Sequence, residues 1–250
     1  MTPIKFIAIR SIVFFSPKRI ARVSKNKIQN WVKFWSSYRA YIKMSNDNLS
    51  KFDFYACVDE WTPSTYIEPT YFYQDSWAFE HIVRLKPSSH LDIGSHNKYV
   101  ALLSKVIPVS MVDIRPLSLK MESINFIEGS ILNLKFPDES LESVSSLCVI
   151  EHVGLGRYGD PLDPAGSIKA FKELMRVIKP GGNLFISFPI EEQSTTYFNA
   201  HRAFNEREML DHASQFELKD KKYIFGTIYT SVYSPEFGVG CYWLQRKIIN

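Results

Sequence analysis

Glu151, His152, Arg157, Tyr158, Asp160 and Asp163 fall within one short, glycine- and proline-bearing stretch, GLGRYGDPLDP and the residues that lead into it. A histidine with its ordinary pKa near 6.5 can take or give a proton at neutral pH. Carboxylates accept from paired hydroxyls, tyrosine offers a flat face, and arginine clamps a phosphate or carboxylate. Together these types suit a polyhydroxylated ligand. The same residues also suit a rigid polar loop, since Pro161 and Pro164 fix turns and Asp163 can cap the next helix. Further along, Asn199, His201 and Arg202 form a second cluster, with His201 a second candidate base. Upstream, Leu91-Asp92-Ile93-Gly94 reads as a buried strand that breaks at glycine. Such a turn brings backbone N–H donors close to a charged ligand. Asp113 ends the next apolar run, where an acid can accept both hydroxyls of a ribose.

These residues need a scaffold that delivers them to one place. The apolar periodicity alternates between strand and helix. Helices are expected over Trp77–Leu85, Tyr99–Val106, Ser167–Ile178 and from Asn205 to about Gln215, where Asn205 and Glu208 resemble a capping box. Strands are expected at Leu91–Gly94, Val109–Ile114, Ile124–Glu128, Val144–Ile150, Asn183–Phe188, Tyr223–Ile228 and Cys241–Ile248. That alternation argues for an α/β fold: a Rossmann-like, seven-stranded, mostly parallel sheet with helices on both faces. Open sheets of this kind bind ligands beyond the carboxyl ends of their strands, where the candidate residues fall.

The chain has 250 residues, 45% hydrophobic and 22% charged, enough for one domain with a sizeable core and an appendage. The net charge of +4 hides an asymmetry. Residues 1–46 hold ten Lys and Arg and no acid, which leaves twenty basic and twenty-six acidic residues in the remainder. A basic, aromatic N-terminal helical extension over residues 1–50 is expected, followed by the α/β domain over 51–250, with the polar stretch 45–50 between them. Ile28, Trp31, Val32, Trp35, Tyr38 and Ile42 recur at helical spacing within the extension. That helix could pack over the main domain. It could also lie on an anionic membrane or glycolipid. No motif accompanies the charge, so no nucleic-acid partner is expected. The apolar stretch near residue 4 is too short to span a bilayer. Cys57, Cys148 and Cys241 are too scattered for a disulfide framework or zinc site and fit a reducing, cytoplasmic setting, with peripheral contact at the inner face of a membrane.

The strings TYFYQDSWA, LDIGS, VDIRPLSLK, IEHVGLGRYGDPLDPAG, KPGG and FNAHR, spread from about Trp61 to Lys247, resemble the class I S-adenosylmethionine-dependent methyltransferases. The likeness is to a subgroup often associated with surface-polysaccharide synthesis. It implies S-adenosylmethionine as cofactor, with Asp92, Gly94 and Ser95 in the glycine loop, Asp113 on the ribose, and Gly129, Ser130 and Ile131 near the adenine. His96 and Lys98 stand where that family carries further glycines. GxGxxG is absent, because Gly94 is followed by Ser95-His96-Asn97, which argues against a dinucleotide-dependent dehydrogenase.

Methyl transfer to a hydroxyl needs alignment, exclusion of water and removal of a proton. His152 is the expected base, His201 the second candidate, and Glu151 the residue that orients His152 or binds the cofactor's amino group. Arg157, Tyr158, Asp160, Asp163, Asn199 and Arg202 are the expected acceptor contacts. The reaction expected is O-methylation of a carbohydrate or glycan. No metal is required, although His152, Asp160, Asp163 and His201 could converge on a hard divalent ion. The rival reading is a catalytically silent scaffold of the same fold in a polysaccharide assembly.

Overall fold

A computed structural model describes residues 17–44 and 56–248, with side chains described from residue 26 onward. The chain divides into two compact units, Met1–Tyr66 and Ile67–Asn250. The expected boundary, in the stretch 45–50, lies outside the described residues.

In the first unit, α1 runs from Pro17 to Met44 without a single acidic residue. No residue of α1 with a described side chain is buried.

The second unit is built on one sheet. Its strands are β1 (His90–Ile93), β2 (Val109–Asp113), β3 (Ile124–Glu128), β4 (Leu141–Leu147), β5 (Ile178–Ile190), β8 (Phe216–Phe225), β9 (Ile228–Thr230) and β10 (Gly238–Arg246). They lie in the order β3-β2-β1-β4-β5-β10-β8-β9. Strands β1 to β5 are parallel, while β10 runs antiparallel to both β5 and β8. The sheet therefore has eight strands where seven were expected. The addition is β9, a three-residue return that pairs Phe225 with Ile228. So short a segment leaves no period-two pattern to read. A separate hairpin, β6 (Thr195–Tyr197) with β7 (His201–Ala203), was also unforeseen for that reason.

Strand β5 shows how the two faces are filled. Leu184, Ile186, Phe188 and Ile190 join one core cluster with Phe171 and Leu174 of α4 (Gly166–Val177). Phe185 points the other way. It joins Trp77 and Ile82 of α2 (Pro69–Leu85) and Val100 of α3 (Asn97–Leu103). Alternate strand residues serve opposite faces because successive Cβ atoms point opposite ways. Helix α2 begins earlier than the apolar pattern indicated, because the Glu68 carboxylate caps Tyr71 N–H at 2.8 Å and Pro69 occupies the first turn. Helix α5 (Glu206–Asp211) starts as read, with Asn205 accepting from Glu208 N–H.

Candidate functional site

At the carboxyl ends of β1, β2 and β4 lies a cavity of about 380 Å³. That is the size of a small-molecule site. Its floor is the turn after β1. Gly94 has φ +65°, and a Cβ there would stand 3.1 Å from a Val149 methyl, so glycine suits both the backbone and the space. Beneath the turn, buried Asp92 accepts from Ser95 N–H at 3.1 Å and from the Ser145 hydroxyl. Ser95 Oγ in turn accepts from Leu147 N–H at 2.9 Å, tying β1 to β4. Asp92 is fully buried and absent from the cavity wall, and its bonds position the turn. Burial pushes its carboxyl up to about 6, against the pull of those hydrogen bonds.

Of the expected cofactor residues, Gly94, Ser95, Asp113, Gly129, Ser130 and Ile131 all line the cavity. Asp113 ends β2 and accepts from Arg115 N–H through Oδ1 at 2.9 Å. Ser130 Oγ accepts from Leu132 N–H at 3.2 Å, which leaves its hydroxyl hydrogen and a second lone pair.

His152 also lines the cavity, on a single 3-10 turn over Ile150–His152. Its Nδ1 lies 2.7 Å from the Ala200 carbonyl, which can only accept. Nδ1 therefore carries the hydrogen and Nε2 has the lone pair. Burial lowers the His152 pKa to about 4, with Arg157 pushing the same way and the Ala200 contact opposing. Glu151 Oε1 lies 3.8 Å from His152 Nε2. Glu151 is buried outside the cavity wall. Its Oε2 has no hydrogen-bond partner, and burial lifts its carboxyl to about 8. At neutral pH this side chain is an uncharged acid beside a neutral imidazole.

The loop after β4 splits the expected acceptor residues into two groups. Tyr158 and Asp160 line the cavity. The Arg115 guanidinium stacks 4.3 Å from the Tyr158 ring centre, and Arg157 stands 5.1 Å away. Asp160 also holds the loop by accepting from Gly154 N–H at 2.6 Å and Tyr158 N–H at 3.3 Å. Asp163 and Arg202 are engaged within the loop. Asp163 accepts from Ala165 N–H at 2.9 Å and pairs with Lys169 at 2.7 Å. Buried Arg202 donates to Val153 O, Ser167 Oγ and Asp163 O at 2.6, 2.8 and 3.1 Å. Both serve the loop itself, and neither lines the cavity. Arg157 is exposed and donates to Ala200 O at 2.9 Å, and Asn199 is an exposed turn residue at φ +63°. His201 stands outside the wall, its ring 5.0 Å from Tyr197 and 5.6 Å from Phe237, with a buried Nε2 that lacks a partner. Among the described residues, no three His, Cys, Asp or Glu side chains converge as a metal site. The possible set His152, Asp160, Asp163 and His201 is thus not assembled.

Several residues at and behind the wall escaped the sequence reading. Tyr71 stacks on His96 at 4.8 Å, and His96 Nδ1 lies 3.5 Å from Asp75, whose carboxyl burial raises to about 7. The Cys148 thiol reaches Gln74 Oε1 at 3.1 Å, and Ser187 Oγ donates to the same oxygen at 2.8 Å. Only the string TYFYQDSWA hinted at them, because helix α2 brings its residues to the cavity from far upstream in the chain.

No curated protein sequence matches the chain. A family model described as Caenorhabditis protein of unknown function, DUF268, matches residues 104–218, just under half of the chain. Three solved structures share the architecture. A candidate sarcosine dimethylglycine methyltransferase from Galdieria sulphuraria is 14% identical, with TM-score 0.53 over 70% of this chain and 86% of that one. The [4+2]-cyclase SpnF is 13% identical, with TM-score 0.51 over 70% and 81%. The N-methyltransferase NodS of Bradyrhizobium japonicum WM9, solved with S-adenosyl-L-homocysteine, is 12% identical, with TM-score 0.50 over 70% and 88%. The chain has the methyltransferase fold. One of these three proteins is a cyclase by name, so the fold does not by itself select a reaction.

Proposed function

We propose that this chain is an S-adenosylmethionine-dependent methyltransferase that O-methylates a carbohydrate or glycan, on the cytoplasmic side, in surface-polysaccharide synthesis. The observation that carries the reading is one cavity lined by a glycine turn, an acid and a tautomer-fixed histidine together. The residues fit the cofactor. Gly94 leaves room where a Cβ would crowd Val149, and Asp113 presents a carboxylate at the end of β2 for a ribose. When bound, the cofactor supplies an electrophilic methyl carbon.

The protein's own part is to orient the acceptor and hold its proton. Tyr158, braced by Arg115 and facing the cavity, offers a face for a sugar ring, and Asp160 stands beside it. His152 Nε2 accepts the hydroxyl proton. The low His152 pKa keeps that nitrogen free at neutral pH. A weak base suffices, because a hydroxyl gaining a third bond becomes strongly acidic. The alternative, a silent scaffold, draws support from His96. Its ring lines the cavity where the family resemblance calls for glycine.

Calorimetry with S-adenosylmethionine and S-adenosyl-L-homocysteine, paired with labelled-methyl transfer over nucleotide sugars and oligosaccharides, separates the two. The enzyme reading expects binding that Asp113→Ala weakens about tenfold to a hundredfold, the cost of a hydrogen bond to a charged group. It also expects methyl transfer to at least one glycan. Binding without transfer to any acceptor would support the scaffold, and no binding would refute the cofactor assignment.

A further inference from the structure

Helix α1 is unlike the rest of the protein. It spans Pro17–Met44 and carries eight Lys and Arg with no Asp or Glu. Trp31 and Val32 lie three and four residues after Ile28, and Ile42 falls further along the same side, which places them on one stripe of the helix. That stripe is not buried: Ile28 is 66% exposed, Trp31 44% and Val32 64%. Lys27, Lys33, Arg39 and Lys43 are exposed along the same helix. An amphipathic helix with an open apolar stripe needs a partner, since helices gain most of their stability from packing such a face.

We infer that α1 is a membrane-surface helix that seats the protein on an anionic bilayer. Charge selects this partner. A second copy of the helix would set eight cations against eight more, with no acid to offset them. A nucleic acid would match the charge but leave Ile28, Trp31 and Val32 facing water. A bilayer rich in anionic headgroups answers both needs. Its interface takes the aliphatic and indole side chains to a shallow depth, while lysine and arginine reach the phosphates. No described helix is long and apolar enough to cross a membrane, so this contact lies flat on one leaflet. A glycan acceptor carried on a lipid would be reached from the same surface, although the inference stands independently of any methyl transfer.

The test uses the full-length protein and vesicles of phosphatidylcholine, alone or mixed with phosphatidylglycerol, in a co-sedimentation assay. The protein should bind the mixed vesicles and not the neutral ones, and added salt should release it by screening the headgroups. Replacing Lys27, Lys33 and Lys43 together by Gln should weaken partitioning on the order of a hundredfold, about fivefold per charge. Trp31→Ser with Val32→Ser should weaken it as well, by removing the apolar half of the contact. Thermal melts matching the parent protein confirm that each variant is folded. Equal binding to both vesicle types, or no binding to either, overturns the inference. So does a self-association that the Trp31 and Val32 changes abolish, or binding of duplex DNA that the Lys changes abolish and the apolar changes do not.

Discussion

The tautomer of His152 decides which of its nitrogens can receive a proton. The Ala200 carbonyl fixes the hydrogen on Nδ1, and burial keeps the ring uncharged, with its pKa lowered to about 4. His152→Gln should therefore reduce kcat by roughly 10²- to 10⁴-fold, the usual worth of a positioned base. The donor's Kd should stay unchanged, which single-turnover kinetics and calorimetry can check together. The sign of the pH effect comes from the same shift. The active form is deprotonated, so kcat/KM should fall only as pH drops through about 4 and stay level across the ordinary histidine range near 6.5. A profile that rises around 6.5 would assign the proton to another group, the Asp92 and Asp75 carboxyls being raised by burial to about 6 and about 7.

The loop after β4 holds its shape by bonding to itself. Gly154 sits at φ +82°, where an added Cβ would meet the Asp163 carbonyl oxygen, and Arg202 bridges Val153, Asp163 and Ser167. Gly154→Ala should displace the whole segment from Glu151 to Asp163. Arg202→Met should cost about 1–3 kcal/mol, because buried neutral acceptors lose their donor. Urea melts measure the second effect, and loss of ligand binding at retained helicity measures the first. This loop also shows what the sequence conveyed and what it withheld. The strand–loop–helix–strand order, the turn at Gly94 and the carboxylate at Asp113 were legible, because periodicity and turn chemistry are local. The division of labour within the loop was not. Asp160 and Asp163 look alike in sequence, yet one faces the cavity and the other braces the start of α4. Arg202 reads as a clamp for an acceptor, and the structure has it donating to Val153 O, Asp163 O and Ser167 Oγ. Only long-range packing tells these apart. The same holds for Tyr71, which α2 delivers to the cavity, and for Gln74 and Asp75 behind it. The hairpin β6–β7 and the edge strand β9 were missed because three residues cannot display a period.

Across the whole second unit, buried acids set the response to pH. Glu151 has its carboxyl raised to about 8 and Asp75 to about 7, both chiefly by burial. Each binds a proton more tightly folded than unfolded. Their contribution is full below the unfolded values near 4 and is lost as pH rises through the folded ones. The urea midpoint should therefore decline progressively as pH rises from about 4 to about 8. Glu151→Gln should flatten much of that slope, closing a gap on the order of 5 kcal/mol at the alkaline end, for a carboxyl raised from 4.5 to about 8 at 1.36 kcal/mol per pKa unit. A parent and variant that decline in parallel would place the buried charge elsewhere. One further consequence lies in the order of assembly. Strand β10 comes after β8 and β9 in the chain, yet it is threaded between β5 and β8. Until it arrives, two unmated strand borders stand open, each able to recruit a foreign chain. The nascent protein is most vulnerable to clumping in the interval between making Phe225 and making Gly238, and a chaperone would find its longest opportunity there.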